Sequence, residues 1–308
     1  MKKTVLFLFL FFSFLFYANS QNIKKIIQIE TDISEYSNKS TSPDTITYNF
    51  ENGKLLSKIK SNGSVSKYIY NDNGLLSRIS TSNTKYPEGD DVIEDFEYDK
   101  NGFLVRNYRY HAKNGILNDK VNTTDIRYEH NLKNDNEFII IGKGTCTNTS
   151  KANCIDLKFE MKNNILTETR IVYSQKTVSV YTFKDRNLYS VNKNKNTNEN
   201  HTLVYTYDNS KSVNSIIFEN LFGKKYRQIL LYYSPDIHVN NQPKISENNL
   251  KSSIIEKQTK RPLGIITDNV IIKYNSDNMP TKAVNNQIVY TGSEKSPRAL
   301  IEETYFYE

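Results

Sequence analysis

The sequence lacks most of the residues and motifs by which enzymes are recognised. It contains no tryptophan, two cysteines, three methionines and four histidines among 308 residues. No histidines stand in the HxxxH or HExxH spacing of a zinc site, and no GxSxG segment indicates the nucleophile of a serine hydrolase. We therefore expect no cofactor, no metal site and no catalytic residue. The histidines are interpreted as solvated residues without a special role, three of them in predicted turns or loops: His111, His130, His201 and His238.

Long apolar runs are also absent after the N-terminus. Residues 1–20 combine the basic start MKK, an apolar core from Val5 to Tyr17 and the small residues of ANS before Gln21. This order is typical of a secretory signal peptide, and the core is shorter than the ~20 residues of a membrane-spanning helix. A retained N-terminal anchor is the alternative. We expect cleavage after Ser20 and export of a soluble chain to the periplasm, the cell surface or the medium, with no transmembrane segment left.

Neither acidic nor basic residues are concentrated in one part of the chain. Without Lys2 and Lys3 of the leader, 39 basic and 34 acidic residues remain, a formal charge of +5. Such a mild excess favours solubility, and no helix-turn-helix, zinc module or aromatic RNA-binding signature accompanies it. We expect no nucleic-acid partner. The predicted partner is an envelope or extracellular protein or glycan, and the oligomeric state is left open.

The two cysteines lie close together, as Cys146 and Cys154 in the segment GTCTNTSKANC. Because an exported chain meets an oxidising compartment, the leading interpretation is a local disulfide that closes a loop. A metal site is the alternative, but two thiols without a nearby histidine fall short of the four ligands of zinc.

The abundance of aromatic residues favours β-structure. The sequence also contains internal repeats. Tyrosine and phenylalanine number 22 and 15, whereas proline numbers seven, a balance typical of strands. The segments YNFENGKLLSKI (48–59) and YIYNDNGLLSRI (68–79) align without a gap. In each, an aromatic anchor follows an apolar residue two positions earlier, and this arrangement recurs, with aliphatic partners at Ile126–Tyr128, Leu157 and Ile272. The repeat anchors are Tyr48, Phe50, Tyr68, Tyr70, Phe96, Tyr98, Phe159, Tyr181, Phe183, Tyr205, Tyr207 and Tyr274.

Each repeat predicts a β-hairpin. Alternation places an anchor and its partner on one face of a strand, and a residue that easily adopts positive φ follows the anchor. Ile59, Ile79 and Ile216, nine residues after an anchor, belong to returning strands. A single hairpin is marginal in water, so the hairpins are expected to pair edge to edge. The predicted turn residues are Gly53, Gly74, Gly102, Asn163, Asn187 and Asn278.

The repeats predict an all-β fold in which antiparallel hairpins form one twisted, curved sheet or open barrel. Residues 21–308 are expected to be a single domain, with a further strand pair near KKYRQILLYY, a final strand in IEETYFYE, and no helix beyond short turns around Asn249–Lys257. Polar stretches rich in turn formers predict insertions between the hairpins. These insertions lie near residues 81–95, 111–125, 192–201 and 234–249.

The pattern aromatic-x-[YF]-[DN]-x-x-G-x-L resembles the YD repeats of Rhs-type bacterial surface proteins. It is clearest in YIYNDNGLLSRI and FEYDKNGFLVRN, and it covers residues 46–216 with gaps and 270–291 more weakly. In the Rhs family such repeats form long strips of β-hairpins, some of which coil into hollow shells. The closer resemblance is to short exported YD-repeat-like proteins, which implies an open, curved sheet and no established chemistry.

Two features have both a functional and a structural interpretation. The acidic segment EGDDVIED suits calcium in its ligand type, but a solvated insertion is favoured; it contains Glu88, Asp90, Asp91, Glu94 and Asp95. The aromatic ladder offers a stacking platform for sugars or peptides, but cross-strand aromatic pairs also stabilise a sheet. The structural interpretation of the ladder is favoured, and the absence of tryptophan weakens the carbohydrate interpretation.

Two classes of function remain open from the sequence. The favoured one is a non-enzymatic, exported binding or cell-envelope scaffold protein that recognises its partner through the insertions 81–95, 111–125 and 192–201. The alternative is a hydrolase that acts on an envelope polymer through carboxylates brought together by folding, and a minor alternative is a lipid carrier. A deep cleft with two facing carboxylates favours the hydrolase, whereas a broad face with exposed tyrosines favours binding.

Overall fold

The computed structural model describes most of the chain after residue 21. The predicted signal peptide, Cys154 and most of the segment 234–249 lie outside the described residues, so these predictions stay predictions. The described residues are 22–34, 42–118, 123–134, 136–146, 155–172, 174–193, 201–227, 229, 246–258, 263–291 and 294–308.

The described chain consists almost entirely of β-strands. An α-helix, α1 (Val213–Phe222), is followed by a 3₁₀ turn at Gly223–Lys225 and by further helical residues at 226, 227 and 229. The strands are β1 (Ile23–Asp32), β2 (Asp44–Glu51), β3 (Lys54–Lys60), β4 (Ser64–Tyr70), β5 (Leu76–Asn83), β6 (Asp91–Tyr98), β7 (Leu104–Lys113), β8 (Ile116–Leu117), β9 (Thr124–Asn134), β10 (Glu137–Cys146), β11 (Ile155–Lys162), β12 (Ile165–Val172), β13 (Gln175–Lys184), β14 (Asn187–Lys193), β15 (His201–Lys211), β16 (Asn248–Gln258), β17 (Leu263–Tyr274), β18 (Pro280–Thr291) and β19 (Glu294–Tyr307).

The strands form one antiparallel sheet that curves back on itself. Strands that follow one another in the chain are neighbours in the sheet, except that β7 also pairs with β9, past the short β8. The first strand, β1, pairs with β2 on one side and with β19 on the other. This closure gives a barrel-like sheet and confirms the predicted all-β fold with a curved sheet or open barrel.

The sequence repeat corresponds to a repeated irregularity in the sheet. The register shifts at the anchor residues Phe50, Tyr70, Tyr98, Phe183 and Tyr274, each time because the returning strand holds one extra residue. Such bulges increase the local twist of a hairpin. The extra residues are Leu56, Ser77, Val105, Tyr189 and Thr281.

Most of the predicted turn residues have the left-handed backbone that the repeat requires. Positive φ occurs at Gly53 (72°), Gly74 (74°), Gly102 (80°), Asn163 (51°) and Asn278 (60°). At the remaining position the structure differs from the expectation. There the left-handed pair is Asp185 (48°) and Arg186 (62°), and Asn187 instead begins β14 and bonds the side chain of Asn248.

Alternation along the strands separates a buried inner face from an exposed outer face. The core contains anchors such as Tyr48 (1% exposed) and Phe159 (0%), together with residues of α1. Strands of alternating direction send successive connections to opposite ends of the sheet. The hairpin turns β2–β3, β4–β5 and β6–β7 lie at one end, here called the turn end. The connections β5–β6, β7–β9 and β14–β15 leave from the other end, here called the insertion end.

The helix corrects two sequence predictions. No helix was expected, and Ile216 was assigned to a returning strand, but residues 213–222 form α1 at the turn end. The Asn220 side chain donates to the Gly53 carbonyl at 2.8 Å, and Phe222 contacts Phe96 edge-on with ring centroids 6.1 Å apart. The expected strand pair near KKYRQILLYY also begins as a 3₁₀ turn, whereas Asn249–Lys257, expected to hold short turns, lies within β16.

The predicted insertions overlap the ends of the strands that flank them. Of residues 81–95, only 84–90 connect β5 to β6, and residues 111–113 and 124–125 belong to β7 and β9. His111, His130 and His201 therefore lie in strands and not in loops. His238 lies outside the described residues.

Candidate functional site on the outer face of β5, β6, β7 and β9

The inner tyrosines are committed to holding the sheet together. The hydroxyl of Tyr70 donates to the carbonyl of Leu55 at 2.7 Å, and the hydroxyl of Tyr98 donates to that of Leu76 at 2.6 Å. Each acceptor is the residue that pairs with the anchor of the preceding hairpin, since Phe50 pairs with Leu55 and Tyr70 with Leu76. The same relation holds for Tyr207 with Leu188 and for Tyr307 with Pro280.

The hairpin that begins with β9 makes this bond with a histidine. His130 places its Nε2 2.7 Å from the carbonyl of Leu104, which pairs with the anchor Tyr98. Because a carbonyl only accepts, Nε2 must carry the proton. The structural anchor of β9 is therefore His130, two residues after the predicted anchor Tyr128, which lies in the core at 5% exposure.

Farther from the turn end, the inner wall carries charged groups that bond one another. Glu168 accepts from the Tyr181 hydroxyl at 2.5 Å and from Arg170 at 3.1 Å, and burial followed by this carboxylate raises the pKa of Tyr181. Glu94 accepts from Asn107 at 3.2 Å. A cavity of about 30 Å³ beside Glu94 has room for water but not for a sugar ring; it is lined by Ser66, Tyr68, Ile79, Thr81, Val92, Glu94 and Arg109.

The outer face of the same strands carries a different arrangement of tyrosines. Tyr108 and Tyr110 of β7 alternate with the buried Asn107, and their rings stack with centroids 4.8 Å apart and planes at 26°. The guanidinium of Arg106 lies 5.0 Å from the centroid of the Tyr108 ring. Arg106, Tyr108 and Tyr110 therefore form one continuous stack along the strand, of the kind that cation–π and aromatic contacts favour.

Ion pairs on the adjacent strands hold this stack in place. Arg106 forms a two-bond fork with Asp125 of β9, at 2.8 and 2.9 Å, and a third bond with Glu97 of β6 at 2.8 Å. These bonds, that with Asp125 first, raise the pKa of the Arg106 guanidinium. On the other side, Arg78 of β5 forks onto Asp95 at 2.6 and 3.0 Å.

The same Asp95 carboxylate lies 3.4 Å from the hydroxyl of Tyr110. Together with Arg127, whose contact with Asp125 is 3.9 Å, these residues define the outer patch: Arg78, Asp95, Glu97, Arg106, Tyr108, Tyr110, Asp125 and Arg127.

The outer patch joins two of the segments expected to carry recognition. Asp95 ends the segment 81–95 and Asp125 ends the segment 111–125. The two segments also meet at the insertion end, where Asn118 donates to Asp90 at 2.5 Å. Among the described residues at this end, the most exposed of the large apolar side chains are Tyr86 (70%) and Ile116 (74%). The segment 192–201 belongs to β14, β15 and their connection, several strands away from the patch.

The acidic segment and the two cysteines are the remaining candidate features of the sequence. The acidic segment divides between the two faces, with Glu94 on the inner wall and Asp95 in the outer patch. Within the described residues, no group of three or more His, Cys, Asp or Glu side chains is placed to hold a metal ion. Cys146 ends β10, and its pairing with Cys154 stays a prediction because Cys154 lies outside the described part.

Sequence reasoning missed the outer patch because it fixed on the anchor positions. Tyr108 and Tyr110 lie ten and twelve residues after the anchor Tyr98, on the returning strand. The segment RNYRYH was nevertheless a signal. Arg106, Tyr108 and Tyr110 stand two residues apart in it. This spacing predicts a strand that carries one cationic and two aromatic side chains on the same face.

Comparison with known proteins finds no matching family and a structural similarity at low sequence identity. No family model matches the sequence, and no curated protein has significant similarity to it. The chain is similar to a porin-like protein from Bacteroides uniformis ATCC 8492 that was solved at 2.32 Å. The two are 12% identical over 93% of this chain and 96% of that chain, with a TM-score of 0.44. Among the described residues, no helix has the length and apolarity to cross a membrane.

Proposed function

We propose that the protein is an exported, non-enzymatic binding protein of the cell envelope, built from YD-like hairpin repeats. The barrel-like sheet is the scaffold, and the outer patch is the recognition surface. The observation that carries this proposal is the stack of Arg106, Tyr108 and Tyr110. Its side chains are fixed by ion pairs before any partner arrives, which lowers the entropy cost of binding.

The inner wall supports binding over hydrolysis. A glycoside hydrolase needs two carboxyl groups about 5–9.5 Å apart on either side of a substrate cleft. The inner carboxylate of Glu168 is bonded to Arg170 and Tyr181, and the cavity beside Glu94 is water-sized. Each of these carboxylates is bonded to neighbouring side chains of the wall, which favours a structural role for them.

The interior also gives no support to a lipid carrier. Such a protein needs an unfilled apolar cavity, but the apolar interior at the turn end is occupied by α1. Phe218 and Phe222 of this helix are 0% and 1% exposed and pack among the strand anchors.

Capture experiments with matched variants test the proposal. The mature protein is immobilised and exposed to solubilised envelope fractions and glycan pools, alongside Tyr108→Ala, a variant with residues 84–90 shortened to a turn, and the control Tyr189→Ala. Tyr189 is an exposed tyrosine of β14, away from the patch. We expect Tyr108→Ala to lose a partner that Tyr189→Ala keeps. Retention of every partner by a folded Tyr108→Ala protein, or turnover of an envelope polymer that a single carboxylate substitution abolishes, contradicts the proposal.

A further inference from the structure

We infer that the ligand of the outer patch is an uncharged, hydroxyl-rich glycan chain that lies across β5, β6, β7 and β9. This inference rests on the proposed function and specifies the chemistry of its ligand. It follows from the charge balance of the patch, from the hydrogen-bonding groups left open on it, and from the rigidity of both.

The charge of the patch is balanced residue by residue. Three arginines face three carboxylates, and the pairs Arg78–Asp95, Arg106–Asp125 and Arg106–Glu97 are in direct contact at 2.6 to 2.8 Å. A polyanion such as a phosphorylated or sulfated polymer meets a carboxylate beside every arginine, and a polycation meets an arginine beside every carboxylate. Since long-range attraction requires an excess of one sign, the patch suits a ligand without net charge.

Several hydrogen-bonding groups of the patch point to solvent. The side chains of Arg127 and Glu97 are 73% and 57% exposed. The hydroxyl of Tyr108 has no hydrogen-bond partner within the described part of the chain. Donors and acceptors thus alternate between neighbouring strands, which are about 4.8 Å apart. Vicinal hydroxyls of a sugar donate and accept at once, so they match this alternation of guanidinium, phenol and carboxylate groups.

The stack is held by its own contacts and stays in place when it binds. The Tyr108 ring lies between Arg106 and Tyr110, and Asp95 and Asp125 fix the two ends of the stack. A hydroxyl-rich ligand gains from such fixed polar groups because few side-chain rotamers remain to be frozen. The ring edges and the Tyr108 hydroxyl then meet the sugar, since both faces of the Tyr108 ring are occupied.

Titration with defined glycans tests the ligand class. The probes are short neutral oligosaccharides of β-1,4-linked glucose, β-1,4-linked N-acetylglucosamine and α-linked mannose, and a sulfated glycan as the polyanion. Binding to the mature protein is measured by calorimetry between about 0.01 and 1 M salt, over which the Debye length falls from about 30 to 3 Å. We expect at least one neutral probe to bind with an affinity that salt leaves unchanged.

Substitutions connect that binding to the patch. Tyr108→Ala and Arg127→Ala are each expected to weaken Kd about tenfold or more, a loss of ~1.4 kcal/mol, and Tyr189→Ala is expected to leave it unchanged. Circular dichroism checks that each variant folds. Binding of the sulfated glycan alone with loss at high salt, binding that is insensitive to Tyr108→Ala, or no binding of any neutral probe overturns the inference. A protein partner that is captured by the wild type and lost in Tyr108→Ala overturns the glycan inference while it leaves the proposed binding function standing.

Discussion

The inner and outer tyrosines of this sheet differ in what their hydroxyl groups contact. Inside, Tyr70 and Tyr98 donate to backbone carbonyls of the neighbouring hairpin, so each phenol connects two repeats. Outside, Tyr110 lies beside a carboxylate of an ion pair, and Tyr108 stacks between two planar groups. The same residue type therefore stabilises the repeat on one face and offers polar contacts to solvent on the other.

This contrast shows which tyrosines a repeat explains. Four inner phenols recur with the hairpin because the preceding hairpin presents an equivalent backbone carbonyl to each of them. The outer stack occurs on β7 alone among the described strands. Arg78 and Arg106 occupy equivalent places in YIYNDNGLLSRI and FEYDKNGFLVRN, but Tyr108, Tyr110 and Asp125 lie outside these repeats. A feature that the repeat does not require is the better candidate for recognition, because residues that serve the scaffold cannot vary with the partner.

The largest expected effect comes from removing an inner aromatic ring. Phe222→Ala deletes a side chain that is 1% exposed and contacts Phe96, and loss of such a ring costs about 3–5 kcal/mol of unfolding free energy. Tyr108→Ala on the outer face should cost about 1 kcal/mol or less. Urea denaturation of both variants measures the difference. Similar costs for the two substitutions mean that α1 is not packed as described.

Alkaline unfolding should depend on the inner tyrosines. Burial raises the pKa of Tyr205 to about 12, and burial also raises the pKa values of Tyr70 and Tyr98. A raised pKa means that above about pH 10 the unfolded chain loses protons that the folded chain keeps. The stabilising contribution is complete below pH 10 and falls by ~1.4 kcal/mol per pH unit for each such tyrosine until its folded pKa is reached.

Denaturation midpoints measured from about pH 8 to 12 test whether stability falls as the pH rises. We expect stability to be level up to about pH 10 and to fall steeply above it. Tyr205→Phe should make the fall shallower, whereas Tyr189→Phe, on an exposed residue of β14, serves as the matched control. A stability that rises above pH 10, or equal slopes for the two variants, contradicts the packing of the Tyr205 phenol against the core.

Much of the fold was predictable because each hairpin is determined by residues that are close together in the sequence. A strand, a residue with positive φ and a returning strand lie within about twenty residues, so Tyr70, Gly74 and Ile79 specify a hairpin without reference to the rest of the chain. The closure of β1 on β19 was not predictable in the same way. It joins the two ends of the described chain, and no local pattern determines which edges of a curved sheet meet.

The helix and the outer patch were missed for different physical reasons. Ser212 accepts from the Asn214 amide as an N-cap, and Gly223 ends α1 with φ of 69°, so both boundary signals were present. The apolar run IIFENLF between them fits a buried strand as well as a buried helix. The patch depends on the pairing of β7 with β9, because Arg106 and Asp125 are 19 residues apart. Only the folded sheet brings them together.

Removing a single hydroxyl group should also affect the two faces differently, with a smaller change in the free energy of unfolding than removing a ring. Tyr98→Phe removes the donor to Leu76 and keeps the ring, so it should cost about 1 kcal/mol. Tyr108→Phe removes a hydroxyl that bonds no described residue and should change stability by less than about 0.5 kcal/mol. Midpoints in urea, at an unchanged slope, give both values. Equal effects of the two substitutions mean that the bond from Tyr98 to Leu76 does not stabilise the fold.

The smallest expected change is at the histidine that takes the place of an anchor tyrosine. His130→Tyr restores a phenol at the position from which other hairpins bond the preceding one, and the acceptor, Leu104, occupies the position that Leu55 and Leu76 occupy for Tyr70 and Tyr98. We expect this substitution to change the free energy of unfolding by less than about 0.5 kcal/mol, because one donor replaces another.

His130→Ala leaves the carbonyl of Leu104 without the donor that His130 supplies. It also removes a ring whose centroid lies 5.2 Å from that of Phe103. It should cost about 1–3 kcal/mol. If His130→Ala matches the wild type, the bond to Leu104 does not stabilise the sheet, and if His130→Tyr is as damaging as His130→Ala, β9 does not follow the geometry of the other repeats. The pair of variants therefore tests whether the side chain at position 130 stabilises the sheet, and whether a tyrosine serves there as it does in the other hairpins.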